Sequence, residues 1–231
     1  MKFIIGLALN YPLNRICNDK IINLIKLLSQ IFAFEVIIIG PSHLKPIFIP
    51  ERRYKFIVYE DDKSLFDFSR YNAILNQCNI NNNDILFAFN DTLGNGRKFN
   101  IGLFLYLIIA FFLLFTDKKK KFNIFAPFDR DQKNSWVCPY FFIGRVDFLR
   151  SLNFIDWKFA YKLLSKGVRR ELILWLNSAW RNSEVATKEQ RNIKFKTLVL
   201  EKALIKSFGL KSFIFMFTRF NIFRIINAIS I

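Results

Sequence analysis

Four short runs of almost unbroken apolar character constrain the fold of this chain more than any other feature: KFIIGLAL (Lys2 to Leu9), EVIIIG (Glu35 to Gly40), KFIVYE (Lys55 to Glu60) and DILFAF (Asp84 to Phe89). A strand with one wet face alternates polar and apolar residues, whereas a strand buried on both faces reads as a continuous apolar run. Between the first two runs, ICNDKIINLIKLLSQIF (Ile16 to Phe32) carries Ile21, Ile22, Leu24, Ile25, Leu27 and Leu28 at helical spacing. SLFDFSRYNAILNQC (Ser64 to Cys78) reads as a second helix ahead of the fourth run. Strands that alternate with helices of this length predict an α/β fold, a mostly parallel sheet with helices on both faces.

Past residue 100 the pattern changes. IGLFLYLIIAFFLLF (Ile101 to Phe115) is apolar on every side and is followed by Asp117 and four lysines, Lys118 to Lys121. A membrane span needs about 20 such residues, so this segment is expected to be a core or membrane-grazing helix. In the grazing case the lysines reach a lipid surface. Asp129 to Leu152 is expected to be a loop that enters a strand and then a helix, and the pattern from Phe154 onward is helical. Charge is divided unevenly: residues 1–100 hold 12 Lys+Arg against 9 Asp+Glu, and residues 101–231 hold 23 against 9. Positive charge confined to one part of a chain points to a polyanionic partner there. The segment Lys202 to Ile231 has five basic residues, no acidic one, and many large apolar residues. It is expected to be a basic amphipathic helical tail on an anionic membrane surface, which divides the chain into a domain at 1–200 and a tail at 201–231.

Several function classes receive no support. Cys17, Cys78 and Cys138 are far apart and odd in number, which argues against a disulfide framework or zinc site and for a reducing cytosol. MKFIIGLALNYPLNR lacks a small-residue cleavage site and reads as a first strand, not a signal peptide. His43, the sole histidine, has no second ligand near it in sequence, and Gly94 and Gly96 form no phosphate-loop pattern. Interleaved Phe and Lys match no nucleic-acid-binding module, so no nucleic-acid partner is expected.

Chemistry is expected where the strands end. Ligands of open α/β sheets bind outside the carboxyl ends of the strands, and two of the four runs close on carboxylates there: Asp61-Asp62 after the third, and Asn90-Asp91-Thr92 after the fourth. Asp and Thr also serve as helix N-caps. A phosphorylated or metal-bound ligand suits paired carboxylates, because a divalent cation takes hard oxygen ligands and bridges to phosphate. Arg97 and Lys98 follow on a glycine-bearing loop and suit a diphosphate.

The order of these elements resembles that of GT-A-type glycosyltransferases of family 2. SRYNAIL (Ser69 to Leu75) is similar to the helix that precedes the metal-binding strand in that family, and Asn90-Asp91-Thr92 stands where the family carries Asp-x-Asp. NDT followed by CPYFFIGRVDFLRSL (Cys138 to Leu152) more narrowly resembles rhamnan-synthesis-type transferases and related capsule and O-antigen transferases. The resemblance spans about residues 1–160 and implies a GT-A-like, Rossmann-like fold. It implies transfer of a sugar from a nucleotide-sugar donor to a glycan or lipid-linked acceptor, by a peripheral enzyme on the cytoplasmic side of the plasma membrane. The donor-binding residues it implies are Asp61, Asp62, Arg70, Asn72, Asn90, Asp91, Thr92, Arg97 and Lys98, with Asp91 on a divalent cation (Mn or Mg). Asp129, Asp131, Asp147 and Glu171 are the candidate bases for the acceptor hydroxyl. Two departures stand out: Gly40-Pro41-Ser42 replaces the family's Asp pair after strand 2, and the metal motif has one carboxylate. They favour a rival reading as a non-catalytic, glycan- or partner-binding relative; a basic membrane-binding protein is the second rival.

Overall fold

A computed structural model describes residues 1–9, 15–44, 54–59, 67–90, 101–117, 123–130, 135–137, 141–152, 156–178, 187–208 and 213–217. The chain forms an eight-stranded mixed sheet covered by helices, the α/β class expected, in the strand order β3 (Tyr54–Val58), β2 (Phe34–Gly40), β1 (Phe3–Ala8), β4 (Ile85–Asn90), β7 (Phe141–Arg145), β5 (Ile124–Arg130), β6 (Ser135–Val137), with β8 (Phe213–Phe217) paired to β5. Strands β1 (Phe3–Ala8), β2 (Phe34–Gly40), β3 (Tyr54–Val58) and β4 (Ile85–Asn90) are mutually parallel. They correspond to the four apolar runs. All six residues of β1 and of β4 are buried, which is why neither shows the alternation of a half-wet strand.

The two faces of the sheet carry separate cores. On one side α1 (Arg15–Ser29) buries Ile21, Leu24, Ile25 and Leu28, the i, i+3, i+4, i+7 stripe of an amphipathic helix. Beside it α3 (Ile101–Thr116) buries Tyr106, Leu107, Ala110 and Leu114 against Phe87, Phe89 and Phe141. On the other side α2 (Asp67–Gln77) packs Phe68, Tyr71 and Ile74 on Ile4, Ala8 and Phe142. That layer is completed by α4 (Val146–Ser151), α5 (Trp157–Leu163), α6 (Lys166–Ser178) and α7 (Lys188–Phe208).

Two arginines lock helix ends to this frame. The Arg145 guanidinium donates to the Leu114 and Asp117 carbonyls at the end of α3, at 2.5 and 2.7 Å. Arg150 on α4 donates to Leu75 O in the last turn of α2 and to Ile80 O just beyond it, at 2.7 to 3.0 Å. Cations at carbonyl ends satisfy orphan acceptors and oppose the helix dipole.

Three observations differ from expectation. The division at 200/201 falls inside α7, a continuous 21-residue helix whose Glu201, Ala203 and Leu204 are buried. Residues 213–217 are not helical: β8 (Phe213–Phe217) pairs in parallel with β5 (Ile124–Arg130). A five-residue apolar run has no period of its own, and the free edge of β5 decides its state. β6 (Ser135–Val137) pairs antiparallel with the end of β5, within the stretch from Asp129 that was expected to begin as a loop.

Candidate active site at the carboxyl edge of the parallel strands

The order β3-β2-β1-β4 contains a topological switch point between β1 and β4, because the chain builds outward from β1 in one direction and then returns to its other side. A crevice opens at the carboxyl ends of such a strand pair and is the usual ligand site of open α/β sheets. Register places Ala8 beside Asn90 there, and Ala8 also beside Ile39, so β1, β2 and β4 end together. Leu9 continues the edge, its N–H donating to Ile39 O at 2.9 Å. Gly40 lies so close that a Cβ would stand 2.9 Å from Leu9 Cβ.

Beneath this edge lies a group of buried polar side chains. Asn90 Nδ2 donates to Asp67 Oδ2 at 2.6 Å, both residues being buried. Asp67 occupies the first turn of α2, where the helix dipole favours a carboxylate. Arg70, one turn further on the same helix, is also buried. Glu201 enters from α7 and is 6% exposed. Burial pushes its carboxyl up to about 7, with Lys194 pulling down, Asp67 pushing further up and Lys202 pulling down. Two carboxyls that sense each other inside a protein cannot both hold charge cheaply, and the less solvated one keeps its proton.

The expected site residues are distributed unevenly. Asn90 and Arg70 belong to this group. Asn72 does not: its Oδ1 accepts from Asn76 Nδ2 at 2.9 Å along the exposed side of α2. Asp147 stands at the other end of the sheet, because β7 (Phe141–Arg145) runs antiparallel to β4 and pairs Arg145 with Ile85. Its N–H donates to Asn82 O in the turn before β4, roughly 17 Å from Asn90 at about 3.3 Å per strand residue. As a base at this edge Asp147 is therefore excluded by strand direction. Glu171 is exposed on α6 and is not gathered into the group. Asp129 fares better: Phe125 of β5 pairs with Ile143, which pairs with Phe87, so β5 runs in the direction of β4. Asp129 lies four residues past Phe125, at the Asn90 edge. Asp61, Asp62, Asp91, Thr92, Arg97, Lys98 and Asp131 lie outside the described residues.

Asp67 and Glu201 were not anticipated. Each left a trace in the sequence: Asp67 precedes Arg70 by three residues, which puts both on one helix face. Glu201 stands in a buried stripe made by Ile193, Thr197, Leu200 and Leu204, at a register where a charged residue is out of place.

A hollow of about 730 Å³ lies away from this edge, between the α1–β2 turn, Lys55 and Cys78 at the amino-terminal side of the sheet. Its charged lining residues are Glu35 and Lys55, and Glu35 is engaged by Lys2 at 2.7 Å.

No protein-family model and no curated protein matches the sequence. Among solved structures, the chain is similar to 4-diphosphocytidyl-2C-methyl-D-erythritol synthase from Anaerococcus prevotii DSM 20548, at 9% identity over 94% of this chain and 89% of that one, with a TM-score of 0.46. A likeness of that degree carries nothing about function.

Proposed function

We propose that the chain is a glycosyltransferase that moves a sugar from a nucleotide-sugar donor to a lipid-linked or growing surface-polysaccharide acceptor of the O-antigen or capsule type. One observation carries the proposal: the switch point between β1 and β4 ends on Asn90, which is fixed by Asp67 at the amino end of α2 and is followed in the sequence by Asp91. The Asp67–Asn90 bond, made where water is excluded, preorganises the edge for a ligand instead of leaving it to order on binding.

In this reading the donor diphosphate lies over the β1 and β4 ends, with Arg97 and Lys98 neutralising the leaving group. A divalent cation (Mn or Mg) belongs to the proposal through Asp91 and the donor's own phosphate oxygens, since the Asp67 carboxylate is already engaged by Asn90. When bound, it supplies charge neutralisation at the diphosphate. Of the candidate bases among the described residues, Asp129 is the one whose backbone lies at this edge, and its proposed role is to take the proton of the acceptor hydroxyl. The enzyme works at the cytoplasmic face of the plasma membrane, where a lipid-linked acceptor is found.

Incubation with labelled nucleotide sugars and a membrane-lipid extract tests the proposal. Transfer into lipid by the wild type, with loss of at least a hundredfold in Asp91→Asn at unchanged thermal stability, supports it. Transfer by Asp91→Asn at the wild-type rate would reduce Asp91 to a helix cap and overturn the assignment. Activity that survives a chelator in the wild type would remove the cation and leave the sugar chemistry standing.

A further inference from the structure

We propose that the outer face of α3, continued by the carboxyl end of α1, docks the protein on an anionic bilayer surface. The proposal supplies the attachment that a lipid-linked acceptor requires but does not depend on sugar chemistry, so the two are tested apart.

α3 is apolar on both sides, yet among the described residues only one side packs against the fold. Tyr106, Leu107, Ala110 and Leu114 face the core. Leu105, Ile109, Phe112 and Phe115 face outward and are 41–54% exposed. They follow one another at i, i+4, i+7 and i+10, a single stripe about 15 Å long at 1.5 Å per residue. The stripe does not end with the helix. Phe112 and Phe111 lie 5.9 and 4.1 Å from the Phe32 ring, centroid to centroid, and Phe111 stacks on Phe115. Next to Phe32, the exposed Leu27 and Ile31 carry the apolar surface across the end of α1. Contiguous apolar surface of this extent on a globular chain marks an interaction site.

Charge decides the occupant. Lys118 to Lys121 follow α3 directly in the chain, with Asp117 as the one carboxylate beside them. Across the patch, Glu35 is neutralised by Lys2, and Lys26 is exposed on α1 next to Leu27. An apolar stripe followed in the chain by consecutive lysines matches a bilayer, which offers hydrocarbon within about 10 Å of anionic headgroups, and long lysine chains span that distance. Insertion across the bilayer is excluded for this helix: its inner face is committed to the sheet, and among the described residues no helix is long and apolar enough to cross.

Vesicle flotation of the full chain tests the proposal, without donor or acceptor. The wild type should float with vesicles of phosphatidylcholine and phosphatidylglycerol, and at least fivefold less with phosphatidylcholine alone. Ile109→Ser with Phe112→Ser, at positions half-exposed in the free protein, should cut binding at least tenfold while the circular-dichroism spectrum and thermal midpoint stay within error. Replacing Lys118 to Lys121 by Gln, outside the helix, should abolish the preference for the anionic lipid. Flotation of the serine variant at the wild-type level would overturn the proposal. So would a wild type that ignores vesicles and is a dimer in solution that the serine variant converts to monomer, which would assign the face to a second copy of the chain.

Discussion

Glu201→Gln should make the protein more stable at neutral and higher pH, and hardly alter it in mild acid. Burial holds the Glu201 carboxyl at about 7 in the folded chain against an ordinary value of 4.5. A carboxyl whose pKa is raised on folding binds its proton more tightly folded than unfolded. Its contribution is therefore intact below about pH 4.5, and stability is lost as pH climbs from there through 7. At about 1.4 kcal/mol for each pH unit between the two values, the loss by pH 8 is about 3 kcal/mol. For a chain of this length that corresponds to roughly 6–12 °C in the thermal midpoint. Gln keeps the size and polarity and removes the titration. Urea unfolding of both proteins at pH 4.5 and pH 8 reads the effect as a difference of differences, which cancels any hydrogen bond the amide gains or loses. A gap between variant and wild type that widens by 2–3 kcal/mol at the higher pH is expected. A gap independent of pH would mean that Glu201 ionises freely and that its place in the α7 stripe is wet.

Three further outcomes follow from packing. Gly40→Ala should cost about 1–3 kcal/mol in urea unfolding, because the new methyl would meet Leu9 Cβ at 2.9 Å and Leu9 O at 3.2 Å. Arg150→Ala should cost about 2–4 kcal/mol by the same measurement, since the Leu75 and Ile80 carbonyls lose a charged donor. A chain ending at Leu200 should show no cooperative thermal transition, because it lacks the buried Glu201, Ala203 and Leu204 and the β8 partner of β5; a cooperative transition in that chain would restore the tail as a separate unit.

The elements that were legible in the sequence carry a local signature, either an unbroken apolar run bounded by turn residues or apolar residues at helical spacing. β1 to β4 are buried on both faces and read as unbroken apolar runs, while α1, α2 and α3 match their expected spans to within a few residues. What was not legible depends on contacts between distant segments. β5 contains Pro127, which cannot donate to a ladder, and its strand state rests on pairing with β7, β6 and β8. β8 carries FIFMF, a run that is compatible with helix or strand until β5 is placed beside it. At the site, the switch point and Asn90 follow from strand order alone, so they were within reach. Asp147 was misjudged because nothing in CPYFFIGRVD states that β7 runs against β4. Glu201 was placed in the tail at 201–231, which was set by the basic and apolar residues from Lys202 onward, whereas the stripe it interrupts, Ile193 to Leu204, buries it.

Titration calorimetry of the full chain with a nucleoside diphosphate and the matching monophosphate, with Mg or Mn present, tests the nucleotide-sugar site most directly. In the proposed site Arg97, Lys98 and any cation on Asp91 would act on the second phosphate, and a charge-assisted contact is worth about 1.5–3 kcal/mol. The diphosphate should therefore bind at least tenfold more tightly, for at least one of the common bases. Equal affinity for the two, or binding of neither across all bases, would contradict the account.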